Sequence, residues 1–593
     1  MTRRALVVAA LVAAALVVLP AIASLHDPVI SSNEPLPFPQ NGQNEPALAL
    51  DRSPKGRGPV LVAGGNDYRD QSVCLDPLHC AFSPRIGISG LYYSDDGSTF
   101  IRSSYARPAG TVAGPAVIRT LPSFSAGVWS FGDPSLGTGP RRSGEAFSWT
   151  YGTRFYYATL AGSLKPPFRL ITVSYADPTR LAGQAQPTWS SPKRVSTGTL
   201  PADKPALWAD DAAFTAVGKR NPNFGHVYLC WTAFVAGQEA GGGQIMFSRS
   251  LDGGVTWSTQ QQLSTSPTPQ AQGCTIRSDA GGNVYVFWRE RSPSPQNIQS
   301  PNGIACAKLF KTTIQSAESP DGLGFAPPTV VTSVPEPGVW DRTQAQCTGD
   351  GVTGARVNSF PSVDIANGAP GGIGTNTFAL ATVQGPSDRV VLRTSHDLGR
   401  TWSGRLVASR PRDNAAFPAV ALAPGGSRVY LVYTAFLQPW QSDTRLPRLM
   451  QAVVRKTLLK VLEAGAPAWA EVDGAKGDAR ASSGFEGGDA DARAVRAEFL
   501  GDYNAIVATN AGAHAAWTDV SAAADCGAVD RYRQVLADGK QQGFPNLRKL
   551  CPPRKGLGGL KLTFGNTTLC GIYVPALLAT GAQETRCSRD LHP

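Results

Sequence analysis

SLDGGVTW, Ser250 to Trp257, is a short polar stretch ending in an aromatic residue, and it recurs as SHDLGRTW at Ser395 to Trp402 and as YSDDGSTF at Tyr93 to Phe100. In this pattern the Asp carboxylate can accept hydrogen bonds from N–H groups of its own turn. Gly supplies a backbone conformation that a Cβ would penalise. The terminal Trp or Phe is a large apolar wedge that can insert between neighbouring sheets. The unit therefore closes a connection between two strands. Asp95, Asp252 and Asp397 are far apart in the chain, and none has the close partner that acid–base work demands.

Successive copies lie about twice a unit of ~75 residues apart, so further units lie between them. SPDGLGF at Ser319 to Phe325 fills one gap, and SYADPTR near Asp177, followed by Trp189, fills another. A second repeat supports the division: EPALAL from Glu45, DPSLGT from Asp133, KPALWA from Lys204, FPSVDI from Phe360 and FPAVAL from Phe417. CTIRSD from Cys274 and DYNAIV from Asp502 hold the same place without Pro, which makes seven units. Each is followed by a Gly/Asn/Asp-rich turn and a run such as HVYLCW, NVYVFW or RVYLVYTAF, rich in β-branched and aromatic residues. A third strand usually follows, such as GQIMFSRS before Asp252, and a fourth comes after the turn. The expectation is an all-β fold, a β-propeller of four-stranded antiparallel blades, with seven blades favoured over six.

Ser250, Asp252, Gly254, Thr256 and Trp257, like Ser395, Asp397, Gly399, Thr401 and Trp402, resemble the Asp box, the S-x-D-x-G-x-[TS]-[WF] repeat of bacterial sialidases and other Asp-box (BNR) propellers. In the first copy Tyr93 takes the place of Ser and Phe100 that of Trp. FLGDYNAIVATNAGAHAAWTD, Phe499 to Asp519, is similar to the last blade of secreted bacterial sialidase-like proteins. The resemblance implies a propeller over roughly Asn44 to Gly539, and a ligand site on the face opposite the Asp boxes. It implies less about activity, because such propellers include hydrolases, receptors and assembly factors. Sialidases use an arginine cluster, with one member in an Arg-Ile-Pro motif, a Tyr nucleophile paired with Glu, and an Asp acid/base. Here Arg85-Ile86-Gly87 lacks the Pro and follows a second strand, Arg277 falls near the lower end of a first strand, and Arg356 precedes one. The catalytic set is therefore not carried over.

Strand direction points to the same face. If first strands run downward, the Asp-containing turns lie below, and first-strand starts and second-strand ends lie above. Glu45, Asp133, Asp203 and Asp502 begin first strands of the first, second, third and seventh units and would form an acidic arc at the channel mouth. Asp67, Arg69 and Asp519 sit at second-strand ends, and Tyr503 is the phenol nearest the arc. Asp133, Asp502 and Tyr503 are the catalytic candidates; Glu45, Asp67, Arg69, Asp203 and Asp519 are the ligand-binding ones. Three readings stay open: backbone-capping acids, a site for a polar saccharide or a cation such as calcium, and a hydrolytic carboxylate pair. No metal-ligand set or cofactor motif is present, nor G-x-S-x-G, H-E-x-x-H or a phosphate loop.

The 593 residues are 42% hydrophobic, with 63 Gly and 47 Pro, a composition that supports a core and suits a loop-rich β protein. The net charge of +11 is scattered rather than gathered into a basic arm, so no nucleic-acid partner is expected. Arg3 and Arg4, the apolar run Ala5 to Leu19, and Ala21-Ile22-Ala23 have the pattern of a signal peptide cleaved after Ala23, with a retained anchor as the alternative. A secreted or cell-envelope (periplasmic) monomer with no integral membrane segment after cleavage is expected, with a glycan or other polar ligand as its partner. The ten cysteines then read as disulfides: Cys74 with Cys80, Cys306 with Cys347, and two bridges among Cys526, Cys551, Cys570 and Cys587. The domain division is 1–23 signal peptide, 24–43 N-terminal segment, 44–539 propeller, and a Cys-containing extension, 540–593, that either closes the seventh unit or caps the disc.

Overall fold

The computed structural model describes residues 30–576 apart from 32–36, 38, 54–60, 74–79, 82–85, 96, 98–99, 103–127, 164–168, 178–188, 199, 235–242, 266–269, 350–355, 438–449, 466–468, 473–484, 489–493, 498–499, 521–522, 524–526, 541, 544–549, 551–553, 556–560 and 563–566. The leader-like residues 1–23 lie outside this set. Among the described residues no helix is long and apolar enough to cross a membrane.

Seven antiparallel blades form a ring. Their first strands are Gln43–Leu50, Ser135–Ser143, Ala202–Ala209, Gln270–Ser278, Ser362–Ile365, Asn414–Leu422 and Ala505–Ala508. Each touches the next around the channel, and the seventh returns to the first. Blades one and three to six are four-stranded, blade two adds the short strand Val128–Ser130 beside its first strand, and three strands of the seventh lie among the described residues. Both faces of every blade are covered, which is why second strands read as unbroken apolar runs. Val227–Phe234 is buried throughout. Its Leu229 and Trp231 pack on Tyr156 and Leu160 of blade two, whereas Tyr228 and Cys230 pack on Val286 and Trp288 of blade four, as the two-residue side-chain period requires.

The recurrent turns close the third-to-fourth strand connections. Asp252 Oδ1 accepts the N–H groups of Val255 (3.1 Å) and Thr256 (2.9 Å), and Oδ2 accepts the Thr256 hydroxyl (2.6 Å). Ser250 Oγ accepts the Gly254 N–H at 2.8 Å, with Gly254 at φ 87°. Ser395, Asp397, Gly399 and Thr401 repeat the arrangement. In the first copy Ser94, not Tyr93, plays the anchoring part: its Oγ accepts the Gly97 N–H at 2.8 Å, as Ser319 does for Gly322 at 2.9 Å. That copy is one residue shorter, which an alignment on Gly and Phe alone conceals. Asp252→Ala is expected to cost about 1–2 kcal/mol, the loss of several hydrogen bonds to a half-exposed carboxylate, measured as a shift in the urea midpoint.

The wedges all lean toward the preceding blade. Trp257 packs against blade two, Phe325 lies 4.8 Å from Phe247 of blade three, and Trp402 is 6.0 Å from Phe287 of blade four. Trp189 stands against Val62 and Leu91 of blade one. Phe100 joins Ala516 and Leu569 of blade seven.

The ring is closed by both ends of the described chain. Thr568–Pro575, from the segment read as an extension, pairs with Gly512–Asp519 and becomes the third strand of blade seven. The Ile30 N–H donates to the Leu569 carbonyl and the Thr567 N–H to that of Asn41. Cys306–Cys347 is bridged as expected. Cys230–Cys274 was not anticipated; it ties the second strand of blade three to the first of blade four, and the two residues look like ordinary strand positions in sequence. Cys570 is disulfide-bonded, and the expected Cys74–Cys80 pairing goes untested because Cys74, like Cys526, Cys551 and Cys587, lies outside the described residues.

Candidate functional site at the channel mouth

The residue before Pro in the repeated first-strand segment occupies one ring of positions at the upper mouth: Glu45, Asp133, Lys204, Phe360 and Phe417, with Gly273 and Tyr503 in the two blades that lack the Pro. Backbone geometry aims them. Glu45, Asp133, Lys204, Gly273 and Phe417 have φ of 54°, 49°, 47°, 68° and 52°. The ladder slips at this point in blades one, three, four and six. A bulge re-aims one side chain and interrupts pairing, so the following Pro, which cannot donate to a ladder, is tolerated there. Left-handed φ at non-Gly residues is strained and gathers at functional sites.

The ring is divided by chemistry, with two acids and a lysine on one arc and three aromatic residues on the other. Lys204, 6% exposed, has its ammonium in contact with the Asp502 carboxylate, 3.5 Å from Glu45 Oε1 and 3.8 Å from Asp133 Oδ2. The same nitrogen lies 5.8 and 5.7 Å from the Phe360 and Tyr503 ring centres. Arg356 grips Asp502 with two parallel bonds, Nε to Oδ1 at 2.9 Å and Nη2 to Oδ2 at 2.7 Å. Glu45 Oε1 accepts the Asp502 N–H at 3.0 Å. Asn66 ties the arc together, donating to Glu45 Oε2 at 2.9 Å and accepting the Asp133 N–H at 2.8 Å.

The two catalytic aspartate candidates are driven in opposite directions. Burial, reinforced by Glu45 and opposed by Lys204, pushes the Asp133 carboxyl up to about 7. Burial would raise Asp502 too, but Arg356 and Lys204 hold it well below the usual carboxylate range. Lys204 is held above its usual value despite burial by Asp502, Glu45 and Asp133. Burial, with Glu45 and Asp133 adding to it, pushes the Tyr503 phenol far up, so it stays protonated.

Glu45, Asp133, Asp502 and Tyr503 thus converge. Asp203 lies one residue outside the ring, 3.8 Å from Arg169, because the bulge turns Lys204 inward instead. Asp67 and Arg69 do not reach the mouth: Arg69 donates to both oxygens of Asp67, which also accepts the Tyr92 hydroxyl at 2.6 Å, so the pair is spent on itself. Asp519 lies in a small cleft beside Thr434 and Gln451, between blades six and seven. Of the arginines weighed, Arg277 pairs low in the channel with Asp364 at 2.8 Å and stacks over Trp208, Arg356 is at the mouth, and Arg85 lies outside the described residues. Sequence reasoning passed over Lys204, although KPALWA places it in register with Glu45 and Asp133. It also passed over Glu336, which binds Arg289 at 3.0 Å and Arg291 at 3.5 Å and takes the hydroxyls of Thr312 and Ser359.

Below the mouth the channel holds about 270 Å³. Loops cross its lower end, where Ala212, Ala280 and Ala369 pack together and Asn367 donates to Asp211 at 2.7 Å. Above it, Val339–Asp341 and Gln346–Thr348 form a small cap. The cap's core joins Phe310, Trp340 and Val357 to Phe417, Phe436 and Met450 of blade six. The cap therefore walls the aromatic arc and buries Phe417.

No family model matches the chain, and no curated protein matches it. Solved structures similar to it include a Penicillium chrysogenum α-L-arabinanase complexed with arabinobiose, at 15% identity over 74% of this chain and 99% of that one, TM-score 0.39. A Fusarium graminearum α-L-arabinofuranosidase with an iminosugar inhibitor is similar at 13% identity over 73% and 97%, TM-score 0.39. A Trypanosoma rangeli sialidase in complex with the inhibitor DANA is similar at 10% identity over 70% and 56%, TM-score 0.35.

Proposed function

We propose that the mouth is the active site of an exported glycoside hydrolase that takes a saccharide against the aromatic arc. The observation that carries this is the split between two buried carboxyls beside one ammonium: Asp133 near 7 and Asp502 held ionised. Pairs of acids driven apart in this way divide into proton donor and anion. Asp133, which keeps its proton as far as about pH 7, gives it to the leaving glycosidic oxygen. Asp502 supplies negative potential to the positive charge that develops on the sugar ring, water forms the new bond to the anomeric carbon as the glycosidic C–O bond breaks, and the proton that this water sheds restores the Asp133 carboxyl. Phe360 and Tyr503 offer faces for the apolar side of a sugar. Tyr503 serves as platform rather than nucleophile, since its proton is tightly held. The arginines of the mouth and channel, Arg356, Arg277 and Arg52, are each paired with an aspartate. That favours a neutral saccharide over the carboxylate-bearing one of a sialidase. The two bridged pairs in the described chain fit export into an oxidising compartment.

A panel of fluorogenic glycosides, with wild type beside Asp133→Asn, tests this. The variant is expected to lose about 10²–10⁴ in kcat, the worth of a positioned general acid. Wild-type kcat/KM is expected to fall as pH rises through about 7, where Asp133 gives up its proton. A rival reading is binding without hydrolysis, favoured by the internal partners that both Glu45 and Asp502 already have. Glycan binding seen by calorimetry, with no glycoside of the panel cleaved, would establish it instead.

A further inference from the structure

Asp502 opens the seventh blade, and its strongest partner comes from the cap between blades four and five. Arg356 sits in a short antiparallel bridge with Thr348, next to Cys347, whose carbonyl accepts the Val357 N–H at 2.8 Å. Cys347 faces Trp340 across the cap hairpin. On the other side of that hairpin, Trp340 exchanges backbone bonds with the chain at Gly303 and Ile304, and the Cys306 N–H donates to the Gly338 carbonyl. The Cys306–Cys347 bridge thus spans the hairpin and fastens its far strand, the one that continues into Arg356, to the chain before blade four's third strand. From behind, the helix Gly527–Ala537 brings Tyr532 to within 3.4 Å of Asp341. The Leu536 carbonyl stands where a Cβ on Gly303 would lie 2.4 Å away.

We infer that the Cys306–Cys347 bridge is the anchor that positions Arg356 on Asp502, so that the mouth's ion pair is assembled by the cap rather than by the blades. Arg356 is the positioning residue, acting on a saccharide only through Asp502; in that respect the inference rests on the proposed site. The guanidinium is 30% exposed on its side chain and Asp502 1%. Without the anchor, the arginine can rotate into solvent, while Asp502 stays fixed with Lys204 and Asn358.

Hydrogen exchange, followed by mass spectrometry on the peptide spanning 500–505, reads this without any ligand, since the Asp502 N–H is bonded to Glu45 Oε1. Cys306→Ala with Cys347→Ala is expected to speed exchange there by about tenfold, the scale of one charge-assisted fork. Arg356→Gln should do the same with the bridge intact, and the three substitutions together should add nothing further, the mark of a shared interaction. Arg356→Lys should restore part of the protection. Additive effects of bridge and arginine, or a bridgeless variant that folds with unchanged exchange at 500–505, would overturn the inference. If the double alanine variant does not fold, Cys306→Ser with Cys347→Val replaces it, with the same tenfold rise expected and unchanged exchange at 500–505 overturning the inference. Absence of glycosidase activity would sink the proposed function but leave the exchange result standing.

Discussion

Replacing Lys204 by Met is expected to cost about 3–5 kcal/mol at neutral pH, the usual consequence of removing one partner from a buried charge cluster, and the loss is expected to shrink as the pH is lowered. The sign follows from the two aspartates. In the native protein Asp502 is depressed, so it contributes stability above the ordinary carboxylate range, lost as pH falls through its folded value. Asp133 is raised, so its contribution is present below the ordinary carboxylate range and is lost as pH rises through about 7. Met in place of Lys204 moves both folded values upward, because three carboxylates then face one another with Arg356 alone to compensate. The folded variant holds more protons than the unfolded chain, and stability falls with rising pH wherever that is so. Urea denaturation of both proteins from pH 5 to 8 measures the difference. A loss independent of pH over that range would assign the effect to packing of the lysine stem.

Glu336→Gln is the mirror case. Arg289, 2% exposed on its side chain, and Arg291 share this one carboxylate. Burial pushes both guanidinium groups below their usual values, Arg291 to about 9 with Arg289 adding to the effect. Glutamine keeps an acceptor for Thr312 or Ser359 but leaves two buried cations uncompensated. A loss of about 3–5 kcal/mol is expected. A folded cation whose value is lowered binds fewer protons than in the unfolded chain, so the variant should recover stability toward pH 9 to 10. The two substitutions therefore predict opposite slopes, and one set of melts at several pH values distinguishes them. A variant with wild-type stability at pH 7 would mean that Glu336 is not the counter-ion its geometry makes it.

The ring was legible because its determinants are local. Ser250, Asp252, Gly254 and Trp257 carry their turn within eight residues, and the first-strand segment, with Pro in five of its seven copies, marks blades where that turn is worn. The mouth was half legible. Strand starts and ends can be located from sequence, but which of two adjacent residues turns inward depends on the bulge, and so the pattern points to Asp203 where the structure places Lys204. Asp67 and Arg69 look available in sequence and are not, because residues two apart at the end of a strand found each other and Tyr92. Arg356 and Glu336 arrive on the connection between blades four and five, whose path no period predicts. Cys230 and Cys274 lie on neighbouring blades, and a contact between blades leaves no trace in the pattern of either strand.

The closure of the ring has a consequence for how the protein is made. The Asp502 N–H meets Glu45 across 457 residues, and the Gln43 N–H meets Thr567 across 524. Ribosomes deliver chains from the N-terminus, so Glu45 emerges long before either partner. A nascent chain can stack its early blades as they appear, but the third strand of blade seven, Thr568–Pro575, follows every other described strand of the ring. The acidic arc is therefore completed only once Asp502 has followed Glu45 by 457 residues, and a shorter nascent chain carries the scattered parts of the arc without the arc itself.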